Sequence, residues 1–419
     1  MNPCSFCFCP ATLWRVCDTK IMDFESHEKE ADTQFQTEVR NWLINHIPQS
    51  VSKQISIDKL DTEIPIYTEN LRKELGNQGW LSPTLQREVG GADLGSNQLR
   101  ILRSELDHFG LRWLEEDSAP IVSWALMNAG TMEQKTKYLQ DVAAGSITVW
   151  YNSIQPGATQ DLDAIDISAT RDGDDFILNG RAMFNGGQGP ADYLWTLALT
   201  EPIATSRASI TTFLVPSYLQ GITIENDSSL VADTKRHVNF EQVRVPAFNL
   251  VGNEGDGWPL LQAALKANRW PSRTPDAEQV DELIKFAHET IRNGKSAANE
   301  PVLQQMLVDA FLDCSVARVL SLRNRWMVET GQTITYQNAQ LSLLAKRASL
   351  KLARIVRDVM GAYALLDDKD PRAPSNGTFE FQQRQSITEQ NPMAGPDLHA
   401  GIIAREIGIT LDPEPENRD

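Results

Sequence analysis

Ile167-Ser-Ala-Thr-Arg-Asp-Gly-Asp-Asp-Phe-Ile-Leu-Asn-Gly180 decides the architecture. Two β-prone runs, 167–170 and 176–180, flank the turn residues Asp172-Gly-Asp-Asp, which is the composition of a hairpin. Further β-prone runs at 193–199, 211–215, 222–224 and 237–245 are separated by Gly, Asn and Asp. Several short strands at this spacing predict a small barrel or sandwich.

On either side of this block the period is helical. Upstream, Val39, Trp42, Leu43 and Ile47 recur at steps of three and four, as an amphipathic helix requires. Residues 71–80 predict a helix ending near Gly79, where a left-handed cap is expected, and 89–95 a loop. Residues 101–109 predict another helix, and 132–142 one more with Thr131 as its N-cap. Beyond Gly252-Asn-Glu-Gly-Asp-Gly257 the helical period returns. There Leu341, Leu344, Ala345, Ala348, Leu352, Ile355, Val356 and Val359 hold one apolar stripe for about five turns. Lys346, Arg347, Lys351, Arg354 and Arg357 cover much of the rest, as a solvated face or a binding one. The expected fold class is α+β: a helical domain over 29–146, a β-barrel domain over 147–251 and a four-helix bundle over 252–411. Residues 1–28 are expected to be an extension and 412–419 a disordered tail.

The bulk composition agrees. A chain of 419 residues, 41% hydrophobic and 23% charged, has material for several domains and a large core. No apolar run approaches the roughly 18 residues of a membrane span. The net charge of -17 argues against nucleic acid, yet leaves room for an anionic ligand in a local cationic pocket. Cys4, Cys7, Cys9 and Cys17 crowd the start, leaving Cys314 alone in the body, a usage that suits a reducing cytoplasm. The first 21 residues read as a Cys-rich metal knuckle or as an extension ahead of Met22. They lack a histidine, a second CxxC and the features of a secretory signal. None of the six histidines has metal-ligand spacing, so no metal site is expected.

Six motifs in fixed order carry a resemblance. They are Gly79-Trp-Leu-Ser-Pro with Glu88-Val-Gly-Gly-Ala; Gly130-Thr-Met-Glu-Gln-Lys-Thr-Lys-Tyr-Leu139; Gln155-Pro-Gly-Ala-Thr-Gln-Asp-Leu162; Asn179-Gly-Arg-Ala-Met-Phe-Asn-Gly186; Phe240-Glu-Gln-Val-Arg-Val-Pro246 with Gly257-Trp258; and Gly401-Ile-Ile-Ala-Arg-Glu-Ile-Gly408. Together they resemble the acyl-CoA dehydrogenase family from about Lys29 to Ile409. The resemblance implies FAD between the β domain and the C-terminal helices, an acyl-CoA thioester substrate, an electron-transfer flavoprotein or similar acceptor, and a homo- or heterotetramer. It places Tyr151, Asn152, Ser153, Gln160, Phe184, Asn185, Gly186, Gly361 and Asp397 at the cofactor, and Arg269, Asn268 and Ala394 at the substrate. Flavin requires hydrogen bonds to its ring edge and a wall beside its face. Tyr151, Asn152 and Ser153 can supply the edge; Phe184 is such a wall or an ordinary strand core residue. Arg269 lies by the thioester or in a salt bridge of the helical domain.

The same comparison exposes departures. Abstracting an α-proton calls for an ionised carboxylate. The family's usual glutamate position, counted from Gly401-Ile-Ile-Ala404, is Met393, and its alternative position, just before Arg269, is Asn268. Neither can take a proton. Glu389, in an extended loop, is the remaining candidate base or else a surface carboxylate. A family serine is replaced by Gln160 and a threonine by Gly186, and around Arg292-Asn-Gly-Lys295 the arginine that holds the FAD pyrophosphate is missing. Three readings follow: a dehydrogenase, alone or as one chain of a heteromer whose partner holds the base; another flavin reaction such as oxidation or monooxygenation; or a non-catalytic scaffold of the same fold.

Overall fold

The structure, a computed structural model, describes residues 30–47, 65–109, 111, 118–152, 166–186, 190–200, 209–226, 236–267, 277–388 and 396–409. The extension, the tail and the segment holding Met393 lie outside them.

The first helices are α1 (Glu30–His46), α2 (Pro65–Asn77), α3 (Ser96–His108) and α4 (Ala119–Ala129). Val39, Leu43 and Ile47 are buried as their spacing requires, and Trp42 packs edge-on against Trp80 with ring centres 5.1 Å apart. Helix α2 stops before Gly79, whose φ of 74° is the left-handed cap expected from the sequence. Its N–H donates back to the Gly76 carbonyl at 2.8 Å. Across α1 and α3, Arg40 grips Glu105 with two nitrogens, Nε to Oε2 at 2.8 Å and Nη2 to Oε1 at 2.7 Å. Gln36 adds a third donor to the same carboxylate at 2.8 Å.

The single helix expected over 132–142 has a break inside it. Helix α5 (Met132–Gln134) passes through a π turn (Lys135–Leu139) into α6 (Gln140–Ala143). Thr131 is the N-cap, in a capping box: its hydroxyl accepts from Gln134 N–H, and Gln134 Oε1 accepts from Thr131 N–H at 2.9 Å. The other end of that carboxamide donates to Phe248 and Leu250 carbonyls, both at 2.7 Å.

The central sheet has eight strands: β1 (Val149–Asn152), β2 (Ser168–Asp172), β3 (Asp175–Gly186), β4 (Tyr193–Leu199), β5 (Ile210–Pro216), β6 (Ile222–Asn226), β7 (Arg236–Val245) and β8 (Leu250–Val251). Their order is β6-β7-β3-β1-β4-β5-β8, with β2 pairing both β3 and β4. The β2–β3 hairpin turns at Gly173, with φ of 67°, within the turn expected from its residues. Strand β1 is the pivot of the sheet, antiparallel to β3 and parallel to β4.

Helix α7 (Gly257–Ala267) then packs against α4 and β5, and the remaining helices form a bundle. These are α8 (Ala277–Glu289), α9 (Pro301–Glu329), α10 (Gln337–Met360), α11 (Thr378–Thr388) and α12 (Pro396–Glu406). A short hairpin, β9 (Ile291–Arg292) with β10 (Lys295–Ser296), links α8 to α9. On α10, Leu341, Ala348, Leu352, Ile355, Val356 and Val359 are buried. Leu344 and Ala345 are half-buried, so the stripe is slightly narrower than its sequence suggests. Of the basic residues, Lys351 reaches Asp313 at 2.9 Å and Asp309 at 3.4 Å on α9, which ties the two long helices together.

Candidate functional site

Strands β1 and β3 run antiparallel with Trp150 opposite Gly186, Tyr151 opposite Asn185 and Asn152 opposite Phe184. Residues directly opposite in an antiparallel pair point to one face of the sheet. The register therefore sets Tyr151 and Asn185 side by side on one face, both half-buried. Tyr151 packs against the core that joins Val149 and Trp195 of the sheet to Ala264 of α7 and to the N-terminal helices. This place is the seam where all three parts of the chain meet.

Asn185, half-buried, has no hydrogen-bond partner for its carboxamide among the described residues. Together with the neighbouring phenol it offers donor and acceptor groups along one edge. Gly186, next in the strand, carries no side chain to obstruct an approach to the backbone. Such a set fits the hydrogen-bonding edge of a flavin ring.

Asn152 serves the fold instead. Its Nδ2 donates to the Leu197 carbonyl at 3.0 Å and its Oδ1 accepts from Leu197 N–H at 2.8 Å, extending the short β1–β4 ladder by a side chain. Its side chain is 4% exposed and is held in the ladder. Asn152→Ala should lower the unfolding free energy by about 2–3 kcal/mol, because the buried Leu197 N–H and C=O lose both partners. Urea denaturation measures this, and an unchanged midpoint would refute the clamp.

Phe184 is likewise taken up by the sheet. The ring is fully buried and packs 6.1 Å, centre to centre, from Phe240 in the core of the sheet. Of the two readings the sequence left open, wall or core residue, the structure supports the second. Gly361, with φ of 58° and ψ of −129°, ends α10 in a conformation that suits glycine. Beside it, Arg292 directs Nη2 to the Val359 carbonyl at 2.6 Å and both terminal nitrogens to the Asp358 carbonyl at 3.2 and 3.3 Å. This is a charged cap on the negative end of the helix.

Asp397 is the second residue of α12, though its side chain, like Ser153, Gln160, Asn268, Arg269, Glu389, Met393 and Ala394, lies outside the described residues. Sequence reasoning missed Thr211, which positions the segment leading toward Arg269. Its hydroxyl accepts from Gly255 N–H and contacts Thr200 Oγ1, both at 3.0 Å, tethering the turn ahead of α7 to β5. Two adjacent threonines in a continuously buried strand were the available signal. At the other margin of the seam, burial and then Tyr138 push the Tyr193 phenol up to about 12, so it stays neutral. Among the described residues no group of three His, Cys, Asp or Glu side chains is arranged to hold a metal.

With this geometry established, comparison with known proteins is direct. The family profile "Acyl-CoA dehydrogenase, N-terminal domain" matches residues 29–146, and "Acyl-CoA dehydrogenase, C-terminal domain" matches 255–375. The chain belongs to the acyl-CoA dehydrogenase family, and its cofactor is FAD. Acryloyl-CoA reductase (NADH) of Anaerotignum propionicum is 27% identical over 367 residues, covering 84% of this chain and 89% of that protein. The ChsE4–ChsE5 complex from Mycobacterium tuberculosis superposes with a TM-score of 0.76 at 20% identity, over 92% of this chain and 99% of the other. A steroid ACAD, Tcur3481–Tcur3483, gives 0.77 at 22% identity, over 91% and 98%. PigA with FAD and proline gives 0.71 at 17%, over 91% and 98%. At these identities the structures share the fold.

Proposed function

We propose that this chain is a subunit of an FAD-dependent acyl-CoA dehydrogenase that desaturates an acyl thioester between its α and β carbons. The observation that carries the reading is the paired Tyr151 and Asn185 edge beside Gly186 at the meeting point of the three parts. FAD, when bound there, supplies the acceptor for the β-hydride. The chain's own part is to bind and orient. Tyr151 and Asn185 hold the ring edge, Arg269 favours the anionic form of a nearby carboxylate and steadies the thioester, and the surrounding apolar core excludes water.

The α-proton needs a base that Met393 and Asn268 cannot provide. In this reading a homologous chain in the same assembly holds the complete base, and this chain completes a heterotetramer. Two of the structural neighbours are named as pairs of chains, ChsE4 with ChsE5 and Tcur3481 with Tcur3483, which supports such an assembly. The steroid named for the second supports a bulky acyl chain as substrate. Electrons then pass to an electron-transfer flavoprotein or a similar acceptor in the cytoplasm.

A second reading, a non-catalytic scaffold, is favoured by Arg292, whose guanidinium is engaged by carbonyls at the end of α10. The visible spectrum separates the two. The purified chain, alone or co-expressed with a homologous chain, should show flavin absorbance that bleaches anaerobically on adding an acyl-CoA. A colourless, folded protein under both conditions would sink the dehydrogenase and leave the scaffold.

A further inference from the structure

Four Asn-Gly pairs occur in the chain, at 179–180, 185–186, 293–294 and 376–377. In such a pair the glycine nitrogen can attack the asparagine carboxamide, because no Cβ on the second residue hinders the approach. Attack requires the backbone to rotate until that nitrogen meets Cγ. What surrounds each pair therefore decides whether it reacts.

Three of the four are held. Asn179 lies in β3 between β2 and β7, and its Oδ1 accepts from Gln242 N–H at 2.8 Å and from Gln242 Nε2 at 2.9 Å. Asn185 and Gly186 are fixed by their pairing with Tyr151 and Trp150 of β1. Gly377 is buried against the backbone of Asp367 and Asp368. Just ahead of that pair, Ser375 Oγ donates to Glu282 Oε2 at 2.5 Å.

Asn293-Gly294 is placed differently. It forms the two-residue turn between β9 and β10, with φ angles of 49° and 77°. Both residues are exposed, and a Cβ built on Gly294 would meet nothing within 4 Å. The Asn293 carboxamide has no hydrogen-bond partner among the described residues. The ladder beneath the turn consists of Arg292 opposite Lys295 and Ile291 opposite Ser296. Ala297 N–H closes its base on the Thr290 carbonyl at 2.8 Å, and Arg292 tethers its tip through the carbonyls of Asp358 and Val359. A solvated hairpin this short opens locally at low cost.

We propose that Asn293 is a modification site, converted through a cyclic imide to aspartate and isoaspartate when the hairpin opens. The Gly294 nitrogen loses its proton and bonds to Asn293 Cγ, and the side-chain nitrogen leaves as ammonia. Water then opens the imide. Attack at the side-chain carbonyl gives aspartate, and attack at the backbone carbonyl gives isoaspartate. The sum is water consumed and ammonia released, with nothing oxidised or reduced. Isoaspartate routes the main chain through the side-chain methylene, which lengthens a two-residue turn and breaks the register of β9 with β10. The new carboxylate stands beside Arg292 and competes with the α10 carbonyls for its guanidinium. The charged cap at that end of α10 is weakened as a result.

Ageing the full-length protein in mildly alkaline buffer tests this, with peptide mapping and labelling by an isoaspartyl methyltransferase. The peptide holding Asn293 should take up at least about tenfold more label than those holding Asn179, Asn185 or Asn376, as its lower cost of local opening dictates. Asn293→Ser should lose that label and leave the other peptides unchanged. Arg292→Ala, which frees the tip, should speed conversion about tenfold, the worth of a charge-assisted hydrogen bond. Comparable label on all four peptides, or none at Asn293, would overturn the proposal. So would an Arg292→Ala rate equal to wild type, because hairpin opening would then not be the route. None of these readouts depends on bound flavin, so the result stands apart from the dehydrogenase reading.

Discussion

Met393→Glu, assayed in the FAD-loaded chain without any homologous partner, is expected to raise acyl-CoA-dependent flavin bleaching by about 10²–10⁴-fold, the usual worth of a positioned general base. The reasoning is one of chemistry at a single atom. Loss of an α-proton needs an ionised carboxylate, whereas the methionine thioether is only a weak hydrogen-bond acceptor. Asn268→Glu is the parallel experiment at the alternative position, directly before Arg269. There the neighbouring guanidinium favours the ionised acid and should extend its activity to lower pH than that of Met393→Glu. Single-turnover bleaching measured against pH reads both effects. If neither variant gains over wild type while both retain flavin, base loss is not what limits this chain, and the heteromer argument loses its main support.

The second large effect is on stability. Glu105 has 2% of its side chain exposed, and its partner Arg40 is half in water at 50%. Arg40→Met would leave a buried carboxylate with Gln36 and without its cation. The cost should be about 2–3 kcal/mol, below that of a fully buried pair because solvent screens the exposed guanidinium. Burial pushes the Glu105 carboxyl up, but hydrogen bonds from Arg40 and Gln36 and the Arg40 charge outweigh it and hold it below the usual carboxylate range. A carboxyl lowered in the folded state contributes stability above its unfolded value, about 4.3 for glutamate, and loses it as pH falls through the lowered folded value. Thermal unfolding should therefore show wild type losing stability below about pH 4 more steeply than Glu105→Gln. Parallel curves for the two proteins would mean that the pair carries no pH-dependent stability.

Most of the fold was legible in the sequence because its signals are local. The hairpin of β2 and β3, the strand Tyr193–Leu199 and the Thr131 cap each follow from neighbouring residues. Helix α4 was not anticipated: Ala119, Val122, Ala125 and Leu126 are buried, but the segment is apolar nearly throughout and shows little periodic contrast. The π turn at Lys135–Leu139 likewise leaves no mark in a continuous helical pattern. The site was less legible because its determinants are tertiary. Asn152 and Phe184 occupy cofactor positions by resemblance, yet what each side chain does depends on strands whose contacting residues lie dozens of positions away, at Leu197 and Phe240. Tyr151 beside Asn185 is likewise a product of register, which one sequence does not state.

Gln134 has a topological consequence. Its carboxamide joins the start of one helix to carbonyls 114 and 116 residues further along. The sheet thereby leaves the helical body close to where it enters, like a cassette whose two ends are held in one clasp. Closing so long a loop grows costlier only with the logarithm of its length, so an insertion between the ends is tolerated far better than a change at the clasp. Within this architecture the strands and their turns are free to diverge in length, while the glutamine that fixes where they begin and end is not.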